Sequence, residues 1–259
     1  MEEPVIFEVK NNIAFIRLNR PDKMNAVNRE MAKCLLRKLH VCYEDKNIRC
    51  VYLTGSGKGF CAGQDLSEAT GIHDEEVTAI LREQFNPIVA HIRQLEKPVV
   101  GAINGTAAGA GANIALACDI VLATESASFV QAFSKIGLVP DSGGTFILPR
   151  FVGWQRASAL MMLAEKISAT EAERIGMVYK VFADDIFEKE TIAIAEKLAA
   201  MPTRSLGLIK KALNFSVSST FEQQLILEDK FQKEATATSD YKEGVDAFMQ
   251  KRKPNFTGE

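Results

Sequence analysis

The chain has 259 residues, with 31 basic and 33 acidic side chains, and its formal net charge is −2. This balance gives no overall basic excess for binding nucleic acid, and no apolar run approaches the roughly 20 residues that span a bilayer. The acidic start, MEEPVIFEVKNN, differs from the basic start of a signal peptide. We therefore expect a cytoplasmic protein with neither a nucleic-acid nor a membrane partner.

The first half of the sequence alternates between strand and helix patterns. Residues 4–10 and 13–19 alternate apolar and polar side chains around Asn11 and Asn12, which predicts a β-hairpin, because asparagine tolerates the positive φ of a tight turn. An amphipathic helix is predicted from Asn28 to about Asp45. Later segments predict three more strands and two helices of an α/β fold: strands at 50–55, 98–104 and 119–124, and helices at about 74–95 and 109–118.

After residue 165 the sequence becomes helical. Ser168 and Glu171 have the spacing of a capping box, and Gly176 is placed to end the short helix that follows. The next segments predict a series of helices, at 184–200, 204–216, 219–236 and 240–252. We expect this helical region to pack against the α/β part, because no low-complexity linker separates the two.

Five cysteines occur in mostly apolar surroundings, and an odd, scattered set indicates reduced thiols rather than disulfides. They lack the CxxC or Cys/His spacing of a metal site, so no metal is expected. Cys61 lies inside a glycine-rich loop, where packing is favoured over a nucleophilic role. The three histidines, His40, His73 and His91, occur without the GxSxG motif of a serine hydrolase.

Two glycine-rich loops carry most of the chemical information. The loop at 55–66 lacks the ending of a phosphate-binding P-loop, since Gly59 follows Lys58. The loop at 104–119 is only a partial dinucleotide fingerprint, since Ile114 stands where a third small residue is needed. Small residues allow two such loops to approach a ligand and form an oxyanion hole. They also allow close packing of helix on strand, and the residues alone favour neither interpretation.

Three ordered motifs resemble the crotonase, or enoyl-CoA hydratase/isomerase, superfamily: GKGFCAGQDL, KPVVGAINGTAAGAGANIALACDIVLAT and FSKIGLVPDSGGTFILPRFVG. The resemblance extends from NRPDKMNAV at 19–27 to KRKPNFTGE at 251–259. It implies a spiral of ββα units over 1–200 that holds an acyl-CoA site, and a C-terminal helical region at 201–259 used in homotrimer or hexamer assembly. It also implies an acyl-CoA thioester substrate and no cofactor, because CoA is part of the substrate.

The resemblance also assigns roles to individual residues. The backbone N–H groups of Gln64 and Ala110 would form the oxyanion hole, provided that Ala110, where the family usually has glycine, keeps a negative φ. The path of the CoA adenine and pantetheine would follow six residues of two loops: Lys23, Met24, Ala26, Ala62, Asp65 and Leu66. For Met24 and Leu66, a place in the ordinary core is the alternative.

The carboxylates decide which reaction the resemblance implies. Hydratases of this family activate water with two glutamates, and here those positions hold Asn113 and Phe133, neither of which is a general base near neutral pH. We assign both to substrate binding. Asp141 is the remaining carboxylate, and Phe133, Ile136 and Leu138 are expected to raise its pKa by burial.

One acid/base beside an oxyanion hole suits isomerisation, either of a ring epoxide or of an enoyl double bond. Three alternatives stay open. In the first, Asp141 only forms an Asx turn and has no catalytic role. In the second, the chain is a hydratase. In the third, it is a non-catalytic scaffold that binds acyl-CoA or RNA.

Overall fold

The computed structural model describes residues 3–68 and 78–259. Strands β1 (Val5–Lys10) and β2 (Ile13–Leu18) form the expected antiparallel hairpin. Asn11 and Asn12 join them with φ of +51° and +61°. The hairpin prediction is therefore confirmed, together with its physical reason.

The hairpin forms one edge of a six-stranded sheet. Its other strands are β3 (Cys50–Gly55), β5 (Val99–Ile103), β7 (Ile120–Thr124) and β10 (Lys180–Phe182), in the order β1-β2-β3-β5-β7-β10. All neighbours beyond the hairpin run parallel. Strands β3 and β5 are buried along their whole length, as expected of apolar runs in a sheet covered on both faces.

A second sheet of four short strands was not predicted. It consists of β4 (Gly59–Cys61), β6 (Thr106–Ala108), β8 (Ser128–Val130) and β9 (Ile167–Ser168), in the order β4-β6-β8-β9. After β3, β5 and β7 the chain enters the second sheet as β4, β6 and β8, and a helix follows later in each unit. This repeated strand–strand–helix order confirms the expected α/β spiral.

Helices α1 (Arg29–Glu44), α2 (Asn86–Gln94) and α3 (Ala110–Ala117) agree with the prediction. Asn28 caps α1, its side chain accepting a hydrogen bond from the Met31 N–H. A π-helical turn, Leu81–Phe85, leads into α2, and residues 74–77 of that predicted helix lie outside the described residues. Two helices between β8 and β9 were not predicted: α4 (Gly144–Val152) and α5 (Trp154–Leu163).

The predicted capping box is half formed. Ser168 caps α6 (Ala169–Arg174), its hydroxyl accepting from the Glu171 N–H at 3.1 Å. The Glu171 carboxylate instead accepts two hydrogen bonds from Arg174 at 2.6 Å. The reciprocal half of the prediction was wrong because a guanidinium offers this carboxylate a paired, charge-assisted contact.

The C-terminal helices are α7 (Phe187–Ala199), α8 (Thr203–Ser216), α9 (Phe221–Thr236) and α10 (Ser239–Met249). Helix α8 is anchored by the buried Lys210, whose Nζ lies 2.7 Å from Oδ2 of Asp119, the residue before β7. Burial lowers the pKa of Lys210 and raises that of Asp119. The helical region thus packs on the α/β part, and its use in assembly stays a prediction.

Candidate active site

The candidate site lies at one edge of the second sheet. Strands β4, β6 and β8 run parallel, so the segments that follow them, 62–65, 109–113 and 131–133, emerge side by side. In open parallel sheets, ligands bind in the crevice outside this carboxyl edge. The topology therefore brings both glycine-rich loops and Phe133 to one place.

The two glycine-rich loops touch each other. Gly63 has a φ of +91°, and a Cβ there would lie 2.9 Å from the Ala108 carbonyl oxygen and 3.4 Å from the Ala110 nitrogen. A Cβ on Gly111 would lie 2.3 Å from the Cys61 carbonyl oxygen. A side chain at either glycine would prevent the loops from approaching so closely, so the close packing expected of small residues is present. The two loops also face each other, as an oxyanion hole requires.

The backbone N–H groups proposed for the oxyanion hole lie in different surroundings in the two loops. Gln64 forms a parallel bridge with Val27, in which the Gly63 carbonyl accepts from the Val27 N–H and the Asp65 N–H donates to the Val27 carbonyl. This pairing directs the Gln64 N–H to the opposite side, and it finds no protein acceptor within residues 3–68 and 78–259. Ala110 opens α3, so its N–H has no acceptor within the helix. Its φ is not positive, which meets the condition set by the sequence.

Asp141 is the first residue of a tight turn that a main-chain hydrogen bond closes. The Gly144 N–H donates to the Asp141 carbonyl oxygen at 2.8 Å, and the central residues Ser142 and Gly143 have φ of +50° and +74°, as in a type I′ turn. The Asp141 carboxylate instead accepts a hydrogen bond from the Ser142 hydroxyl at 2.7 Å. Burial raises the pKa of Asp141. The main-chain hydrogen bond thus explains the turn without an Asx turn, and the catalytic role of the carboxylate stays a prediction.

The three apolar residues expected to bury Asp141 differ in their own exposure. Ile136 and Leu138 are 55% and 45% exposed, and their contribution to the raised pKa of Asp141 stays a prediction. They lie in a short 3₁₀ segment and the loop after it, which project to the surface. Phe133 is buried as predicted, and its ring lies 3.7 Å from a Cβ placed on Gly109.

A buried amide pair supports the Asp141 turn from below. Asn113, with no exposed surface, donates from Nδ2 to the Asp141 carbonyl oxygen at 2.9 Å. Its Oδ1 accepts from Gln131 Nε2 at 2.9 Å. A Cβ on Gly144 would lie 2.4 Å from Asn113 Nδ2, which is why glycine follows Gly143. The amide of Asn113 is thus committed to protein partners, and its assignment to substrate binding stays a prediction.

Sequence reasoning missed Gln131 and Ser142. Gln131 is a polar residue in the apolar run SFVQAF, and its 2% exposure marks it as a residue that needs hydrogen-bond partners. Ser142 follows Asp141 directly and stands where the turn demands a positive φ. The sequence shows Gln131 as a polar residue within an apolar run, but it shows neither the burial of Gln131 nor its hydrogen-bond partner.

Four of the six residues of the predicted CoA path are exposed. The turn at Pro21–Lys23 leads into Met24, whose carbonyl accepts from the Ala62 N–H at 3.0 Å. Met24 and Leu66 are 38% and 51% exposed, so their alternative assignment to the core was wrong. Lys23 and Ala62 are also exposed, whereas Ala26 is buried.

A salt bridge links this turn to the first glycine-rich loop. Arg20 lies 2.8 Å from Asp65 and also donates to the Ala26 carbonyl oxygen. Hydrogen bonds from Ser67 and Arg20 lower the pKa of Asp65. The Asp65 carboxylate therefore orders the loop around Gln64, a role for Arg20 that the sequence analysis did not identify.

Other candidate chemistry finds no support at this site. Cys61 is buried, and burial raises its pKa to about 12, so it is not a thiolate nucleophile. His40 and His91 are exposed, and His73 lies outside the described residues. Within the described ranges, no group of three or more His, Cys, Asp or Glu side chains could hold a metal ion. No helix there is long and apolar enough to cross a membrane.

Comparison with known proteins gives full-length matches. Residues 8–259 match the model of the enoyl-CoA hydratase/isomerase family. The chain is 44% identical to the 1,2-epoxyphenylacetyl-CoA isomerase of Escherichia coli K12, with 100% of both covered. It is 33% identical to the 2,3-dehydroadipyl-CoA hydratase of the same strain, with 98% of each covered. A crystal structure of an enoyl-CoA hydratase from Bacillus anthracis superposes with a TM-score of 0.94 at 34% identity, covering 99% of this chain and 100% of that one.

Proposed function

This chain belongs to the enoyl-CoA hydratase/isomerase family, and we propose that it is an acyl-CoA isomerase with Asp141 as its single acid/base. Its substrate is 1,2-epoxyphenylacetyl-CoA, which it converts to an oxepin-CoA, or an enoyl-CoA whose double bond it shifts. The observation that carries the proposal is the Asp141 carboxylate: main-chain atoms close the turn, so the carboxylate is not needed to close it, and burial raises its pKa above that of an ordinary aspartate.

The proposed mechanism follows from the loop geometry. The thioester oxygen accepts hydrogen bonds from the N–H groups of Gln64 and Ala110, each worth about 3 kcal/mol to a developing oxyanion. Asp141 removes a proton from the α-carbon, which leaves an enolate on the thioester. The same carboxyl group returns the proton at a more distant carbon. With the ring epoxide, the carbon–carbon bond that the epoxide oxygen bridges also breaks, which expands the six-membered ring to the seven-membered oxepin. Since no atom is added to the substrate, one acid/base is sufficient.

The remaining assignments belong to the same proposal. Lys23, Met24, Ala26, Ala62, Asp65 and Leu66 line the CoA path, and Phe133 packs beside the acyl group. No cofactor takes part, because CoA enters as part of the substrate. Residues 201–259 contribute to assembly of a homotrimer or hexamer.

A hydratase is the second candidate, favoured by the full-length similarity to 2,3-dehydroadipyl-CoA hydratase. Against it stands the chemistry of Asn113 and Phe133, which offer no carboxylate to activate water. Addition of water to a double bond needs a base for the attacking water and an acid for the α-carbon. Asp141 alone would have to serve both roles.

The test assays a 3-enoyl-CoA and crotonyl-CoA as substrates of three proteins: the wild type, Asp141→Asn and Asp229→Asn. The last is the matched control, because it changes an exposed aspartate of α9. Ultraviolet absorbance and mass spectrometry follow the reaction. We expect the wild type and Asp229→Asn to shift the double bond of the 3-enoyl ester, and Asp141→Asn to have lost this activity. Efficient hydration of crotonyl-CoA would establish the hydratase instead. Binding of both esters without turnover of either, or of the phenylacetyl epoxide, would indicate a scaffold.

A further inference from the structure

The Gln64 N–H proposed for the oxyanion hole owes its direction to one short contact between two loops. Gln64 and Val27 form an isolated parallel bridge outside the strands of both sheets. Its two hydrogen bonds run from the Val27 N–H to the Gly63 carbonyl oxygen at 2.7 Å and from the Asp65 N–H to the Val27 carbonyl oxygen at 3.0 Å. An isolated bridge has no adjacent pairs of a ladder to support it, so its geometry depends on the contacts that brace it from outside.

Arg20 braces both segments of this bridge. Its guanidinium donates from Nη1 to the Ala26 carbonyl oxygen and from Nη2 to Asp65 Oδ2 at 2.8 Å. Ala26 comes directly before the residue that bridges Gln64, and Asp65 comes directly after Gln64. One planar group thus fixes the separation of the two segments, a task that suits the rigid fork of an arginine.

The Asp65 carboxylate accepts hydrogen bonds from protein donors on both oxygens. Oδ2 accepts from Arg20, and Oδ1 accepts from the Ser67 hydroxyl at 2.6 Å and from the Ser67 N–H at 3.1 Å. The Arg20 and Asp65 side chains are 20% and 11% exposed, so solvent screens their ion pair less than it screens a surface pair. These contacts favour a role of the carboxylate in holding the loop.

We propose that Arg20 is a positioning residue of the oxyanion hole: through Asp65 and the Ala26 carbonyl, it keeps the Gln64 N–H directed at the thioester oxygen. The inference rests on the proposed function, since it assumes that this N–H holds that oxygen. A donor stabilises the developing enolate only at hydrogen-bond distance and with good alignment. Loss of Arg20 should therefore lower the rate more than the affinity for the ester.

The test measures how strongly the full chain polarises the carbonyl group of a bound thioester. Phenylacetyl-CoA with carbon-13 at the thioester carbonyl has neither an epoxide nor an enoyl double bond, so it undergoes neither proposed isomerisation. Infrared difference spectra give its carbonyl stretching frequency, which falls as hydrogen bonds to the oxygen strengthen, and calorimetry gives its Kd. We expect the wild type to lower this frequency relative to the free ester.

Arg20→Met should lose about half of this frequency shift, because the N–H of Ala110 remains as the second donor. Its Kd for phenylacetyl-CoA should change by less than about threefold, whereas kcat for a 3-enoyl-CoA should fall about 10- to 100-fold. A merely structural role would lower the melting temperature without changing the carbonyl frequency of the bound ester.

Three other variants locate the effect. Asp65→Asn removes the charge that Arg20 contacts and should also reduce the shift. Because the two residues act through one contact, the double variant should lose no more of the shift than Arg20→Met alone. Arg174→Met is the matched control, since it breaks an exposed arginine–carboxylate pair of α6, and it should keep the wild-type shift and kcat.

A wild-type shift in Arg20→Met, or losses that add in the double variant, would overturn the inference. If Arg20→Met does not fold, Arg20→Lys replaces it: one ammonium group lacks the fixed fork that holds both acceptors, so part of the shift should be lost, and a full shift would overturn the role. Asp141→Asn should keep the full shift. A shift that depends on Arg20 without double-bond migration would refute only the isomerase proposal, whereas migration with a full shift in Arg20→Met would refute only this inference.

Discussion

Replacement of Asn113 by leucine tests whether the buried amide pair holds Asp141 in place. Leucine has the same branching as asparagine, so the change removes two hydrogen bonds while largely keeping the shape of a fully buried side chain. The Asp141 carbonyl oxygen then loses one of its two donors, and Gln131 Nε2 loses its acceptor. We expect the variant to fold but the Asp141 carboxylate to be displaced.

The magnitude follows from what each atom retains. The Asp141 carbonyl keeps the Gly144 N–H at 2.8 Å, so that loss costs about 1 kcal/mol, whereas Gln131 Nε2 becomes a buried unpaired donor at about 1–3 kcal/mol. The sum is about 2–4 kcal/mol, which lowers the melting temperature by roughly 4–16 °C for a chain of this size. A small displacement of the carboxylate should reduce kcat by about 100-fold.

A double variant separates the two effects. Asn113→Leu with Gln131→Met removes the unpaired donor, so part of the lost stability should return, because replacing both partners by apolar groups is nearly neutral. Isomerase activity should stay low, since the Asp141 carbonyl still lacks its Asn113 donor. Thermal unfolding and kcat for a 3-enoyl-CoA are measured on the wild type, both single variants and the double variant. Wild-type kcat in Asn113→Leu, or a double variant no more stable than the single one, would refute the reasoning.

Three further predictions concern the same turn. Burial raises the folded-state pKa of Asp141, so ionisation of this carboxyl group destabilises the fold as the pH rises above the ordinary aspartate pKa. The Asp141→Asn variant should therefore have a higher melting temperature than the wild type at pH 7. At acid pH, where Asp141 is protonated, the difference in melting temperature should vanish. Ser142→Ala removes the donor that lowers the pKa of Asp141, and the acidic limb of the kcat/KM profile should move to higher pH; an unchanged limb would contradict this role. Gly144→Ala places a methyl group 2.4 Å from Asn113 Nδ2 and should lose both stability and activity in unfolding and rate assays, whereas Gly244→Ala, with its nearest contact at 3.5 Å, should lose neither.

Local sequence patterns were sufficient for most of the first sheet and the helices. The alternation around Asn11 and Asn12, the apolar runs of β3 and β5, and the stripe capped by Asn28 each express a preference of a few neighbouring residues. The structure reproduces them. Strands β4, β6 and β8 have three residues each, too few for a periodicity, so the second sheet was not predictable in this way.

The sequence by itself determined the fold class, the family resemblance, the two glycine-rich loops and the single carboxylate, because each is written in contiguous residues. Only the tertiary structure decided what these parts do together. It brought both loops to the carboxyl edge of the second sheet and joined Asn113 to Gln131 and Asp141 across separations of 18 and 28 residues. Such contacts depend on how distant segments pack, and no local preference encodes them.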